Sequence, residues 1–111
     1  MRLNLPIPPS VNGMFANVHK RGRVKVQAYR NYEQAAALMI ASQNLEKISG
    51  KVNVDITVQR LRKNTGDIDN KIKAALDSLV KNNLIDDDRH VQQITARWGD
   101  VDGCLVIVEA A

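Results

Sequence analysis

The sequence predicts an α+β (α/β) sandwich: one mixed β-sheet of about four to five strands packed with two main helices. Three observations carry that reading. Val52, Val54, Ile56 and Val58 alternate strictly with Asn53, Asp55, Thr57 and Gln59, the period of a strand with one buried face. Two stretches, Ala28 to about Ile48 and Asp67 to Leu84, repeat apolar residues at three and four positions, the period of a helix with one buried stripe. Leu105-Val106-Ile107-Val108 is apolar throughout, as in a strand that is central or covered on both faces.

In chain order, Leu3, Leu5 and Ile7 read as a short strand, stopped by Pro8-Pro9-Ser10 because proline cannot donate to a ladder. Val11 to Arg23 reads as a loop with a basic tip, His19-Lys20-Arg21-Gly22-Arg23, followed by a short strand around Val24 to Val26. The first helix carries good helix formers from Ala35 to Met39, places Tyr32, Ala35, Ala36 and Met39 on one face, and has Gly50 as its natural stop. After the alternating strand, Leu61 breaks the phase and marks a bulge or the strand's end. The second helix sets Ile68, Ile72, Ala75, Leu76 and Leu79 on one face and Asp69, Lys73 and Asp77 along its edge, with Asn82-Asn83 able to end it in a left-handed turn. Val91 to Trp98 and Cys104 to Val108 read as two strands joined by Gly99-Asp100-Val101-Asp102-Gly103, a loop suited to an antiparallel hairpin. The expected order is β, β, α, β, α, β, β within a single domain, residues 1–111.

A chain of 111 residues rules out folds that need about 200 or more. One cysteine, Cys104, excludes an internal disulfide and any cysteine-cluster zinc site, and with the absence of a signal-peptide pattern points to the cytoplasm. The longest apolar run, Ala35 to Ala41, is too short to span a bilayer, so no membrane partner is expected. Aromatic residues are only 4%, a poor supply for stacking on bases. Charge is divided unevenly. Residues 1–66 hold eleven Lys/Arg and three Asp/Glu, while residues 67–111 hold five and nine. A basic half of that kind fits a polyanionic partner, most simply nucleic acid held through its phosphates.

Half of the twelve acidic residues fall between Asp67 and Asp88, and all but Asp77 lie in two clusters: Asp67-Ile68-Asp69 at the start of the second helix and Asp86-Asp87-Asp88 beyond its end. Taken singly, Asp67 is an N-cap, Asp69 a partner of the helix dipole, and the aspartate run a solvated turn. Taken together with Lys73, four residues after Asp69, and with the basic half, they make a set suited to cleaving phosphodiesters: cations to hold the strand, carboxylates to hold Mg²⁺ at the phosphate. No rival kit exists, because there are two histidines, no Walker loop and no Gly-x-Gly-x-x-Gly, hence no nucleotide cofactor. An EF-hand loop from Asp67 fails at Ile72 and Ser78, where it needs Gly and Glu. One difficulty stands. A helix of about 17 residues is about 25 Å long, so its two acidic ends meet only if the chain folds back or a second copy supplies one of them.

Four segments together carry a resemblance: Leu5-Pro6-Ile7-Pro8-Pro9-Ser10-Val11-Asn12, Gln27-Ala28-Tyr29-Arg30, Asp67-Ile68-Asp69-Asn70-Lys71-Ile72-Lys73 and Leu84-Ile85-Asp86-Asp87-Asp88-Arg89-His90-Val91. In this order and spacing they resemble the RusA-type Holliday-junction resolvases, common in phages and prophages, over nearly the whole chain. The resemblance implies a Mg²⁺-dependent endonuclease, with Mn²⁺ able to substitute, that works as a homodimer and nicks opposing strands of four-way junction DNA in recombination and repair. It implies that Asp67 and Asp69 are catalytic metal-binding carboxylates, that Asn70 supports them and that Lys73 is the catalytic lysine. The family's paired aspartates fall on Asp87 and Asp88 when Val91 sets the register, Asp88 being the third catalytic carboxylate, and the extra Asp86 leaves this open by one position. Gly66 stands where relatives often carry Arg, so Arg62 or Lys63 takes over phosphate contact, beside Lys20, Arg21 and Arg23 of the basic tip. The alternative from another class is a non-catalytic DNA-binding accessory protein whose carboxylates are caps and turn residues.

Overall fold

The structure, a computed structural model, describes residues 1–10, 15–18, 22–61 and 66–111. Its elements run β1 (Arg2–Leu5), β2 (Phe15–Val18), β3 (Gly22–Lys25), α1 (Gln27–Ser42), β4 (Val52–Gln59), α2 (Asp69–Lys81), a single 3₁₀ turn (Asp88–His90), β5 (Val91–Gly99) and β6 (Cys104–Ala110). This is the expected α+β class, a mixed four-stranded sheet in the order β1-β6-β4-β5 with two helices, plus a separate hairpin of β2 and β3. Strand β2 falls inside the segment expected to be loop.

β4 lies inside the sheet, and its alternating apolar residues turn one face into the core: Val52, Val54, Ile56 and Val58 are all within 2% of complete burial. It pairs in parallel with β5 and antiparallel with β6. The expected β5–β6 hairpin is therefore wrong. The two strands are separated by β4, and the loop between them arches over its end: Gln59 N–H donates to the Gly103 carbonyl at 2.8 Å, Arg60 N–H to the Gly99 carbonyl at 3.1 Å, and Gly103 N–H to Gln59 Oε1 at 2.8 Å. Stepping over one strand means covering two inter-strand spacings of about 4.8 Å each, within reach of a five-residue loop and beyond a two-residue turn. The sequence clue was the helix between β4 and β5, since parallel neighbours need a crossover of this kind.

β6 has bonded neighbours on both edges, as its apolar run predicts, but only one face is covered. Cys104, Val106 and Val108 are buried, while Leu105 and Ile107 lie half-buried on the sheet face opposite the core. Burial also pushes the Cys104 thiol up to about 12, so it stays a protonated packing group.

α1 ends at Ser42, earlier than expected. Asn44 takes a left-handed φ of 52°, and Ile48 instead bridges Ile85, with its N–H donating to the Leu84 carbonyl at 3.0 Å. Gly50 thus lies well past the helix end. The buried stripe of α1 is Tyr29, Tyr32, Ala36 and Ile40, turned from the expected one, with Ala35 and Met39 only half-buried. α2 buries Ala74, Ala75, Ser78 and Leu79 against it, and the Ser78 and Tyr32 hydroxyl oxygens lie 3.1 Å apart. The far end of α2 closes as the two asparagines predicted. Asn83 adopts φ 59°, Leu84 N–H reaches back to the Leu79 carbonyl at 2.9 Å and Asn83 N–H to Val80, and Leu84 is buried. That turn delivers the aspartate run to the side of α2.

Candidate active site

α2 begins at Asp69, with Ile68 in the capping position and no side chain capping the helix. The expectation that Asp67 caps the helix is not met. Its contribution is a backbone carbonyl, which accepts from Asn70 N–H at 3.1 Å. The Asp67 and Asp69 carboxylates are both exposed, and among the described residues neither has a hydrogen-bond or ion-pair partner. Asn70 lies half-buried beside them. Lys73, exposed one turn on, does not pair with Asp69. Its Nζ lies 3.0 Å from Asp77 Oδ1.

The three consecutive aspartates are sorted by their partners. Asp86 is tied down, its carboxylate accepting from Lys47 Nζ at 2.7 Å and from Gly50 N–H at 2.8 Å, which holds its carboxyl below the usual range. Asp87 caps the 3₁₀ turn, accepting from Arg89 N–H at 3.0 Å; that bond, aided by the adjoining Asp88 carboxyl, lowers its own. Asp88 is exposed, with no main-chain donor or cation bound to it among the described residues. The register that was open by one position thus has a structural difference to go with it.

Asp87 and Asp88 face an open cleft of about 410 Å³ between β3, α1 and α2, whose walls include Lys25, Tyr29, Glu33, Asp77 and Lys81. Sequence reasoning gave roles to none of these five. Glu33 is the hub, its carboxylate only 13% exposed, with Lys25 Nζ 3.1 Å from both of its oxygens and Lys81 Nζ 2.6 Å from Oε2. One signal was present in the sequence: Glu33 is the only acid of α1, and Asp69, Lys73, Asp77 and Lys81 form an i,i+4 ladder of alternating charge along α2. Tyr29, 3% exposed, donates from its hydroxyl to Asp77 Oδ2 at 3.3 Å. Burial, reinforced by the negative charge of Asp77 and Glu33, pushes its phenol up, so it remains a donor.

Burial raises the Glu33 carboxyl, but the hydrogen bonds from Lys81 and Lys25 more than reverse this, and it sits below the ordinary value. A depressed carboxyl contributes stability above its unfolded pKa, about 4.3, and loses it as pH falls through that value towards the folded one. The expected result is that Glu33→Gln melts lower than the parent at pH 7, and that the gap narrows at pH 3 as the parent loses the same interaction. Thermal unfolding of both proteins across that range checks it, and a gap independent of pH would count against the Glu33 hub.

The structure brings Asp87 and Asp88 to the C-terminal half of α2 and leaves Asp67 and Asp69 at its start. A 13-residue helix is about 20 Å long. Among the described residues, no three of His, Cys, Asp and Glu lie close enough to hold one metal ion. Lys20, Arg21, Arg62 and Lys63 lie outside the described residues, and Arg23 sits on β3.

An α+β domain with exposed carboxylates at the start of one helix, unpartnered among the described residues, and a lysine one turn on, in a chain whose first half is basic, has the make-up of a protein that works on phosphodiesters. The chain belongs to the endodeoxyribonuclease RusA family, whose model matches residues 6–109, nearly its full length. It is therefore a member of a family of DNA-cleaving enzymes. No curated protein matches the chain. No helix among the described residues is long and apolar enough to cross a membrane.

Proposed function

We propose that this protein is a Mg²⁺-dependent, structure-specific endonuclease that resolves four-way junction DNA by paired symmetric nicks, acting as a homodimer in recombination and repair in the cytoplasm of a bacterium. The observation that carries the reading is the unpartnered state of Asp67 and Asp69. Carboxylates at a helix start normally cap or pair; these two do neither among the described residues, which suits groups kept for a ligand from outside the chain. The donors are hard oxygens, the chemistry that Mg²⁺ and Mn²⁺ prefer. Among the described residues one protomer alone does not complete a three-carboxylate set, so the reading requires two chains to pair, with Asp88 joining Asp67 and Asp69 as the third catalytic carboxylate. A two-fold dimer also matches a substrate that must be cut twice.

In that assembly Asp67, Asp69 and Asp88 would hold the cation and Asn70 would support the first pair. Bound Mg²⁺ supplies polarisation of the phosphate and a more acidic water. Lys73 offsets the charge that builds on the phosphate oxygens or the leaving 3′ oxygen. Lys20, Arg21, Arg23, Arg62 and Lys63 grip flanking phosphates, which makes binding salt-dependent.

The test compares a synthetic four-way junction with linear duplex of the same sequence. The expected result is Mg²⁺-dependent nicking of the junction at symmetric positions, little cleavage of the duplex, and a dimer mass by equilibrium sedimentation. Junction binding without cleavage in Mg²⁺ or Mn²⁺ would leave only an accessory DNA-binding role, and a stable monomer with and without junction would remove the paired-site reading.

A further inference from the structure

We propose that Asp77 is a positioning residue that holds Lys73 away from Asp69, keeping the lysine poised and the Asp69 carboxylate unpaired. The inference rests on the nuclease reading above and adds a residue to it. Lys73 has a carboxylate one turn before it, Asp69, and another one turn after it, Asp77. Left to helix physics, it should choose Asp69. Acid four residues ahead of lysine is the better order, and long side chains on a helix lean towards the N-terminus. The structure shows the opposite choice, with Nζ 3.0 Å from Asp77 Oδ1 and no ion pair to Asp69.

Tertiary contacts account for the reversal. Asp77 Oδ2 accepts from the hydroxyl of Tyr29, a buried residue of α1, so the carboxylate is fixed from a second helix and presents its other oxygen to Lys73. Its remaining cationic neighbours are taken, since Lys25 and Lys81 both close on Glu33. Tyr29, Asp77 and Lys73 thus form a relay from the core to the surface, and Glu33 keeps two competing cations off it. A free Lys73 would fall onto Asp69 and neutralise the charge meant for the cation.

The experiment compares the parent with Asp77→Asn, Asp77→Glu, Tyr29→Phe, Lys73→Ala and the double variant Lys73→Ala/Asp77→Asn. Each is measured for single-turnover junction nicking, junction affinity and thermal unfolding, and the Lys73 ammonium is followed by NMR in the parent and in Asp77→Asn. Asp77→Asn is expected to slow nicking about tenfold with affinity changed less than about twofold, because misplacing a catalytic group acts on rate more than on binding. Asp77→Glu recovers most of the rate, Tyr29→Phe loses part of it, and the double variant nicks no more slowly than Lys73→Ala. The Lys73 ammonium resonance shifts in Asp77→Asn as the ion pair passes to Asp69. Parent-like nicking by folded Asp77→Asn, a double variant slower than Lys73→Ala by the full single-site factor, or an ammonium resonance that does not shift would each overturn the proposal. Should Asp77→Asn not fold, Tyr29→Phe decides, and a parent-like rate there overturns it. A parent that never nicks overturns the nuclease reading alone, and the ammonium measurement still decides the role of Asp77.

Discussion

Asp69→Asn is expected to abolish junction nicking, by a factor of at least about 10³ in single-turnover rate, while junction binding stays equal or becomes tighter. The substitution is nearly isosteric, and the position tolerates it. Asp69 is the first residue of α2, exposed, with no hydrogen bond or ion pair among the described residues to lose. Its structural contribution is confined to the helix dipole, about 0.3 to 1 kcal/mol. Removing the charge weakens the hold on a divalent cation and relieves repulsion of the phosphate, so rate and affinity should move in opposite directions. Nicking and gel-shift assays on one preparation measure both. A folded Asp69→Asn protein that nicks at the parental rate would take this residue out of the site and weaken the assignment of Asp67 with it.

Gly103→Ala is expected to destabilise the fold by about 3 kcal/mol. Gly103 holds φ 67°, and a Cβ there would stand 2.5 Å from the carbonyl oxygen of Leu5. That neighbour is main chain in an edge strand, so relief requires β1 to shift and loosens the Leu5–Cys104 register. Gly50→Ala is the internal control. Its φ of 83° is equally left-handed, but nothing lies within 4 Å of the added atom, so only the conformational term applies, about 1 kcal/mol. Urea unfolding of both variants measures the difference. Equal losses would mean that the arch over β4 yields more easily than its contacts indicate.

Much of the chain could be read locally because local physics decided it. The alternation from Val52 to Gln59 could only be a half-buried strand, and β4 has those bounds. Asn83 takes the left-handed turn for which asparagine is suited. Of the two short strands of the separate hairpin, the second was read around Val24 to Val26 and the first was missed. Phe15–Val18 offers only four residues of pattern and makes its ladder with β3 rather than with the main sheet. α1 was read too long because Asn44 to Ile48 carries no Pro or Gly to announce a stop. It leaves the helix because Ile48 gains a backbone partner at Leu84 and Ile85, 36 or more residues away.

At the candidate site the division is similar. Residue type and spacing marked out Asp67, Asp69, Lys73 and the run from Asp86 to Asp88, since carboxylates and a lysine at such intervals are visible in one dimension. Their partners were not visible. Three adjacent aspartates look alike in sequence, and they differ only because Lys47 and Gly50 reach Asp86 while Arg89 N–H reaches Asp87. The choice of Lys73 between two carboxylates at equal spacing fell to Tyr29, 48 residues from Asp77, and that of Lys25 and Lys81 to Glu33. Strand order was decided in the same way. A five-residue loop permits either a hairpin or an arch, and the sheet takes the arch, with β4 bonded to β5 on one edge and to β6 on the other. The sequence by itself determined most of the elements, the residue types available for chemistry and the family, because periodicity and residue type act over a few positions. Only the tertiary structure decided which strands are neighbours and which charges are paired, because those depend on distances set by the packing of the whole chain.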